Sequence, residues 1–401
     1  MNVRENCNPP VIAVLGSGGG VRAMIGFLGT ISKLAELNLL GAVTYIAGIS
    51  GSTWCMSSLY SQENWSDFSD MERLEMKLRE RMKSETERES PWKKIKEKFL
   101  GDSYTLTDFW AYTFVLRALN SINEGKLSNH KETCEDGEVP YPIYSAVRKY
   151  KIHESKAEAW FEFTPHRSGF PAYECYVKTE HLGCRFKGGQ ILEEQPEHDL
   201  IYLQGLWGSA LGYDWVWLFF HDTYRKLIKG LIRVKNGSVS FFKRAWNWIS
   251  WKKHDEPKKM YSPPIYFDEP MYSPPMDHDN LKRTQIRQSW SEYIREKYED
   301  AIAMKNIASC LVKWEWGTTN NFLYKCKDKI SENCDLFHKE SISLVDAGAE
   351  INTPYPLVLP PHRKVDLILS FDFSQGDPFK TVKETATYCK ENKVPFPENT
   401  E

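Results

Sequence analysis

The chain has 401 residues, more than a single compact core usually fills, so one elaborated domain or two smaller ones are expected. A formal net charge of -2 with 26% charged residues excludes the whole-molecule field of a nucleic-acid binder or an acidic scaffold. Aromatic residues reach 13%, with 14 Trp, more amphipathic ring surface than a core requires and in keeping with an interface to lipid.

The nine cysteines are scattered without a C-x-x-C pair, which argues against a disulfide framework and against a zinc site and for a reducing, cytoplasmic compartment. No metal site is expected. The N-terminus, Met1-Asn2-Val3-Arg4, has no apolar signal core. No run approaches the roughly 18 apolar residues of a membrane span. Contact with a membrane is therefore expected from its surface.

In chain order, Val11 to Leu15 is a short apolar strand ending in glycines, and Met24, Ile25, Phe27, Leu28, Ile31 and Leu34 recur at helical spacing. Val43 to Ala47 is a second strand running into a second glycine turn, the start of an α/β sheet. Residues 62 to 102 are highly charged with one narrow stripe, Met71, Leu74, Leu78 and Met82, which predicts a solvated surface helix. A proline-rich stretch between 255 and 280, with Met260 to Pro264 echoed by Met271 to Pro275, predicts an irregular loop. Apolar strands return at Ile342 to Val345 and Val365 to Leu369, so the sheet resumes after a long insertion.

Three segments carry chemistry. Gly48-Ile49-Ser50-Gly51-Ser52 follows the second strand directly, which puts Ser50 on a tight strand-to-helix turn near the positive end of a helix dipole. An ordinary glycine-serine turn is the competing reading, and Ser52 is a weaker candidate because Ser50, not Gly, stands two residues before it. Gly16-Ser17-Gly18-Gly19-Gly20-Val21-Arg22 can turn successive amides toward an anion, either a phosphate or an oxyanion. A dinucleotide site is disfavoured, because no Asp or Glu occurs between Leu37 and Gln62. A P-loop fails because Gly125-Lys126 is followed by Leu127. Asp346, in Val345-Asp346-Ala347-Gly348, ends a strand far along the chain, where a turn former or helix cap is the bland alternative. Spacing does not place it opposite Ser50, and His166 and His362 stay open as bases of a Ser-His-Asp triad.

Together these segments resemble the cytosolic phospholipase A2 family. Gly18 to Met24, Gly48 to Trp54, Val345 to Gly348 and Asn352 to Leu357 follow its signature in order. Leu206 to Ala210, Trp316 to Thr319 with Asn321 to Leu323, and Ser370 to Ser374 extend the match. Phe161 to His166 and the lack of a preceding C2 module make the chain most similar to the gamma type. The resemblance implies a mixed α/β central sheet with flanking helices, as in patatin-like domains, occupying residues 1–401 with an inserted cap or lid at about 190–340. It implies a phospholipase A2 or lysophospholipase that forms an acyl-serine, passes the acyl group to water or another lipid's hydroxyl, and needs no cofactor.

In that reading Ser50 attacks, Asp346 takes its proton, the Gly19 and Gly20 amides form the oxyanion hole, and Arg22 and Arg363 hold the lipid phosphate. Phospholipids and lysophospholipids are the implied substrates, a peripheral membrane surface the implied partner, and nucleic acid is not one. Gamma-type relatives are longer and end in a lipid-modified cysteine, whereas this chain ends Pro397-Glu398-Asn399-Thr400-Glu401, so a fragment or an enzyme without that anchor is expected. A triad carboxylesterase and a lipid-binding protein with an inert serine remain the rivals. Residues 215 to 253 hold nine Lys or Arg against one acid, Asp222, among many Trp and Phe. That composition marks them as a membrane-docking segment.

Overall fold

The computed structural model describes residues 9–62, 65–83, 91–101, 104–121, 123–152, 154–212 and 278–397. The segment 215–253 and the proline-rich loop up to residue 277 lie outside the described residues. By contact density the chain divides into two units, one of Met1–Asp214 with Glu299–Glu401 and one of Trp215–Tyr298. Of the segment expected as a cap at about 190–340, the helix Leu200–Trp207 and the strand Thr318–Asn320 fall in the larger unit.

That larger unit is built on a mixed sheet of nine strands. In chain order these are β1 (Ile12–Gly16), β2 (Tyr45–Gly48), β3 (Tyr141–Arg148), β4 (Trp160–Phe163), β5 (Arg167–Phe170) and β6 (Cys175–Lys178). A separate hairpin of β7 (Arg185–Lys187) and β8 (Gln190–Glu193) follows, then β9 (Thr318–Asn320), β10 (Ser341–Asp346) and β11 (Leu367–Phe371) complete the main sheet. The order is β11-β1-β2-β3-β4-β5-β6, parallel from β11 to β3 and antiparallel beyond. All four apolar strands read from the sequence are present, shifted by one or two residues.

Both faces of the sheet are covered, which explains why its first strands read as unbroken apolar runs. Alternation sends Val14, Ile46 and Tyr144 into one cluster and Ala13, Leu15, Ala47 and Ile143 into the other. Helix α1 (Val21–Glu36) buries Met24, Phe27, Leu28, Ile31 and Leu34 on the first face. Ile25, expected in that stripe, points outward and is 40% exposed, being one position off the buried ridge. Helix α2 (Gly51–Tyr60) is buried along its whole length, so it shows almost no amphipathic contrast. The charged stretch is two helices, Met71–Lys83 and Pro91–Leu100. They bury Met71, Leu74 and Leu78 in the first and Ile95 and Phe99 in the second, so it packs more than a solvated helix would.

The decisive feature is how β3 is shared. Its first half pairs in parallel with β2, ending at Gly48 opposite Tyr144. Its second half pairs antiparallel with β10, ending at Asp346 opposite Ala146. Because β4 already occupies the other edge over these residues, β2 and β10 lie on the same edge and meet end to end. The Ser145 hydroxyl, between the two, donates to the Gly48 carbonyl at 2.7 Å.

Candidate active site

Ser50 sits two residues beyond the end of β2 and caps α2 with φ 52° and ψ -119°, a left-handed backbone that a side chain adopts only when its surroundings enforce it. The enforcement comes from a second glycine turn pressed against the first. A Cβ on Gly51 would lie 1.8 Å from the Gly20 carbonyl oxygen, so only glycine lets the two turns touch. Ser52 donates to the Ser17 carbonyl at 2.6 Å and is fully buried, which makes it a tie between the turns.

The glycine turn is pinned from its other side as well. Gly18 donates to the Asn352 carbonyl at 3.1 Å, the Asn352 side-chain amide donates back to the Gly18 carbonyl at 3.2 Å and to Ser374 at 2.7 Å, and Phe373 donates to the Ser17 hydroxyl at 2.6 Å. Gly20, at φ 60°, then caps α1. Two helix N-termini therefore converge beside Ser50. Among the described residues the Gly19 and Gly20 amides have no internal acceptor, and they stand where partial positive charge accumulates.

Asp346 is 3% exposed. Burial pushes its carboxyl up to about 6, while hydrogen bonds from the Gly348 amide and the Ser50 hydroxyl hold it down. Its own amide donates to Ser209 at 3.2 Å, and Ser209 follows a helix, Leu200–Trp207, whose Gln204 carbonyl accepts from the Trp54 indole at 2.8 Å. Trp207 stacks on Tyr144 of β3 at 4.3 Å. The motif around Trp207 thus braces α2, β3 and β10 at the point where they meet.

The other sequence candidates separate. Arg22 is exposed on the first turn of α1, its Nε donating to the Phe373 carbonyl at 2.9 Å. Its Nη2 lies 3.4 Å from where a Cβ on Gly19 would be, and no carboxylate pairs with it among the described residues. Arg363, the other residue expected to hold the phosphate, stands in a different setting. It is 5% exposed, ion-paired with Glu162, which is 0% exposed, and 5.2 Å from the ring of Tyr45, the first residue of β2. That is the opposite end of β2 from Ser50, and its charge is already neutralised inside the core. The histidines proposed for a triad do not reach the turn either. His166 bonds the Tyr141 hydroxyl at 3.0 Å, opposite Tyr45, and His362 is exposed beside Arg363. The positioning residues Asn352 and Ser209 were missed as such, although both lie in segments that matched the family pattern.

The fold and the Ser50 turn put the chain in the class of mixed α/β serine hydrolases that cleave esters. A family model of the lysophospholipase catalytic domain matches residues 12–217. Human cytosolic phospholipase A2 gamma is 40% identical, covering 97% of this chain and 73% of its own length, and the mouse gamma protein is 37% identical, covering 98% and 72%. The chain belongs to the cytosolic phospholipase A2 family, and its likeness to the gamma type is borne out. The solved structure of human GIVD cytosolic phospholipase A2 matches with a TM-score of 0.62 at 24% identity, covering 98% of this chain and 49% of that one. The expected mixed α/β fold is the one observed. Among the described residues no helix is long and apolar enough to cross a membrane.

A base must be ionised to accept a proton, so activity that depends on Asp346 rises with pH as the carboxyl deprotonates. The kcat/KM of a soluble ester should climb through about pH 6 and level off above it. The limb should vanish from any residual activity of Asp346→Asn, and a limb unchanged in that variant would show that another group titrates.

Proposed function

We propose that the chain hydrolyses fatty-acyl esters of glycerophospholipids and lysophospholipids through a Ser50–Asp346 dyad. Ser50 Oγ attacks the ester carbonyl as its proton passes to Asp346, and the negative oxygen that forms is met by the Gly19 and Gly20 amides. Collapse releases the alcohol, which regains the proton, and leaves an acyl group on Ser50. Water, or the hydroxyl of another lipid, then takes that acyl group. The observation that carries this reading is the buried Asp346 carboxyl beside the Ser50 hydroxyl, poised near neutrality by its own desolvation. An oxyanion donor of this kind is commonly worth about 3 kcal/mol in the transition state.

A fluorophosphonate reports the activated serine directly, because it reacts only with an activated hydroxyl. Ser50→Ala should abolish both labelling and hydrolysis, whereas Ser52→Ala should still be labelled even though it loosens the tie to Ser17. Labelling that survives Ser50→Ala would remove the assignment and favour an inert, lipid-binding role.

Arg22 fits the lipid phosphate, since it stands exposed beside the glycine turn with no acid partner among the described residues. Its loss to Ala should lower phospholipid turnover by roughly 10- to 100-fold, the size of a lost charge-assisted contact, and spare a neutral short-chain ester. Arg363→Ala should behave differently. It strands the buried Glu162 charge, costing about 3 to 5 kcal/mol of stability, and should depress both substrates alike together with the melting temperature. A selective phospholipid defect in a stable Arg363 variant would restore it to the phosphate site.

Peripheral attachment to membranes through residues 215 to 253 rests on their composition, rich in basic residues and Trp. Each basic residue near an anionic bilayer adds about 1 kcal/mol. Replacing Trp246, Trp248, Trp251, Lys252 and Lys253 with Ala should weaken vesicle binding and vesicle hydrolysis while cleavage of a soluble ester persists. Vesicle binding at full strength in that variant would move the docking surface elsewhere.

A further inference from the structure

Away from Ser50, at the far end of α2, lies a polar chamber of about 160 Å³ that the proposed chemistry does not use. Its wall includes Ser58, Ser61 and Gln62 from the end of α2, Arg81 from the helix Met71–Lys83, and Ser121 and Asn123 from the turn that follows Leu119. Among the described residues Arg81 is the only charged one on this wall, and no described carboxylate lines it. It is half-buried, its Nε is buried without a hydrogen-bond partner, and it has no ion pair among the described residues. A guanidinium in that position is costly unless something negative arrives to meet it.

The surrounding groups are arranged as donors. Lys77 donates to the Gln62 side-chain carbonyl at 3.0 Å, fixing a second positive charge nearby. Asn123 donates to Ser61 at 2.8 Å, which holds the amide in place. The Ser58 and Ser121 hydroxyls have no partner among the described residues. An arginine fork flanked by free hydroxyls is the chemistry that recognises a phosphate.

The chamber adjoins a second, larger cavity of about 530 Å³ that shares Ser61, Gln62 and Asn123 with it. There acids outnumber bases. Glu132, Asp136 and Glu138 stand on its exposed rim against one lysine, Lys126, whose Nζ donates to the Glu197 carbonyl at 2.7 Å, and His130 lines it with Nε2 bonded to Ser61 at 3.2 Å and Nδ1 buried without a partner. A positive chamber at one end and a predominantly acidic rim at the other describe a ligand with a phosphate and an ammonium a few bonds apart.

We propose that the joined cavities bind a zwitterionic phosphodiester, its phosphate on Arg81 in the small chamber and its ammonium toward the acidic rim of the large one. Two sources share that chemistry: a soluble glycerophosphodiester, which is what full deacylation of a phospholipid leaves, and the headgroup of an intact lipid. The site is separate from Ser50 and does not depend on the dyad.

The test uses the full chain carrying Ser50→Ala, titrated calorimetrically with glycerophosphoethanolamine, with inorganic phosphate, and with phosphatidylethanolamine vesicles. Binding of the soluble diester should weaken at least 10-fold in Arg81→Gln and in Ser121→Asp, which places a carboxylate against Arg81. Glu132→Gln with Glu138→Gln should weaken the diester several-fold and leave inorganic phosphate unaffected. Arg81-dependent binding of the soluble diester identifies the free compound as the source, and Arg81-dependent binding of vesicles alone identifies the headgroup. Either supports the site. Binding indifferent to Arg81→Gln and Ser121→Asp, phosphate binding without preference for the ammonium, or no binding at millimolar diester would each overturn it.

Discussion

The site depends on one edge of one strand. β3 is long enough to pair with two partners in succession on the same side, and the two arrive from opposite directions, so their ends are forced together. Ser50 follows the end of one and Asp346 ends the other. No side-chain contact chooses this meeting; backbone hydrogen bonding does, with register set by the apolar faces that must be buried on both sides of the sheet. Everything else near the site reinforces it, from the Ser145 hydroxyl at the junction to the stacked Trp207 and Tyr144 beneath it.

Holding Asp346 in that junction works against the fold. Its folded-state pKa stands above the ordinary value of 3.8, so the folded protein keeps the proton after the unfolded chain has lost it. The sign follows directly. Stability from this group is complete below about pH 4, falls as pH rises toward 6, and is then constant, a loss of roughly 3 kcal/mol at most. The strained backbone of Ser50 costs about 1 to 3 kcal/mol more. Both are offset by apolar burial elsewhere, to which the fully enclosed α2 contributes.

How far the sequence could be read follows from distance along the chain. The Ser50 turn and the glycine turn are local, each a strand, glycines and a helix, and both stand where the spacing put them. β3 was not read at all, since Tyr141-Pro142-Ile143-Tyr144-Ser145-Ala146-Val147-Arg148 carries a proline and shows no clean alternation. Without β3 there was no means of bringing Asp346 to Ser50 from spacing, and the pairing came only with the family resemblance. That resemblance also implied a phosphate role for Arg363, whose ion pair with Glu162 spans 201 positions with nothing local to announce it. Ile25 fell on the wrong side of α1 because a stripe of apolar letters is broader than the ridge that packs.

The shared edge of β3 also bears on how the chain is made. During synthesis the first half, through the helix at Leu200–Trp207, emerges long before β10 and β11. Until then the outer edge of β1 and the second half of β3 present unpaired amides and carbonyls, each a template for another chain. The nascent protein therefore passes through a period in which its site is incomplete and it is prone to aggregate, ended by the same docking event that brings Asp346 to Ser50. Activity in this fold is thus a late checkpoint of assembly, and a nascent chain that stalls before residue 341 leaves two open strand edges to be shielded by chaperones.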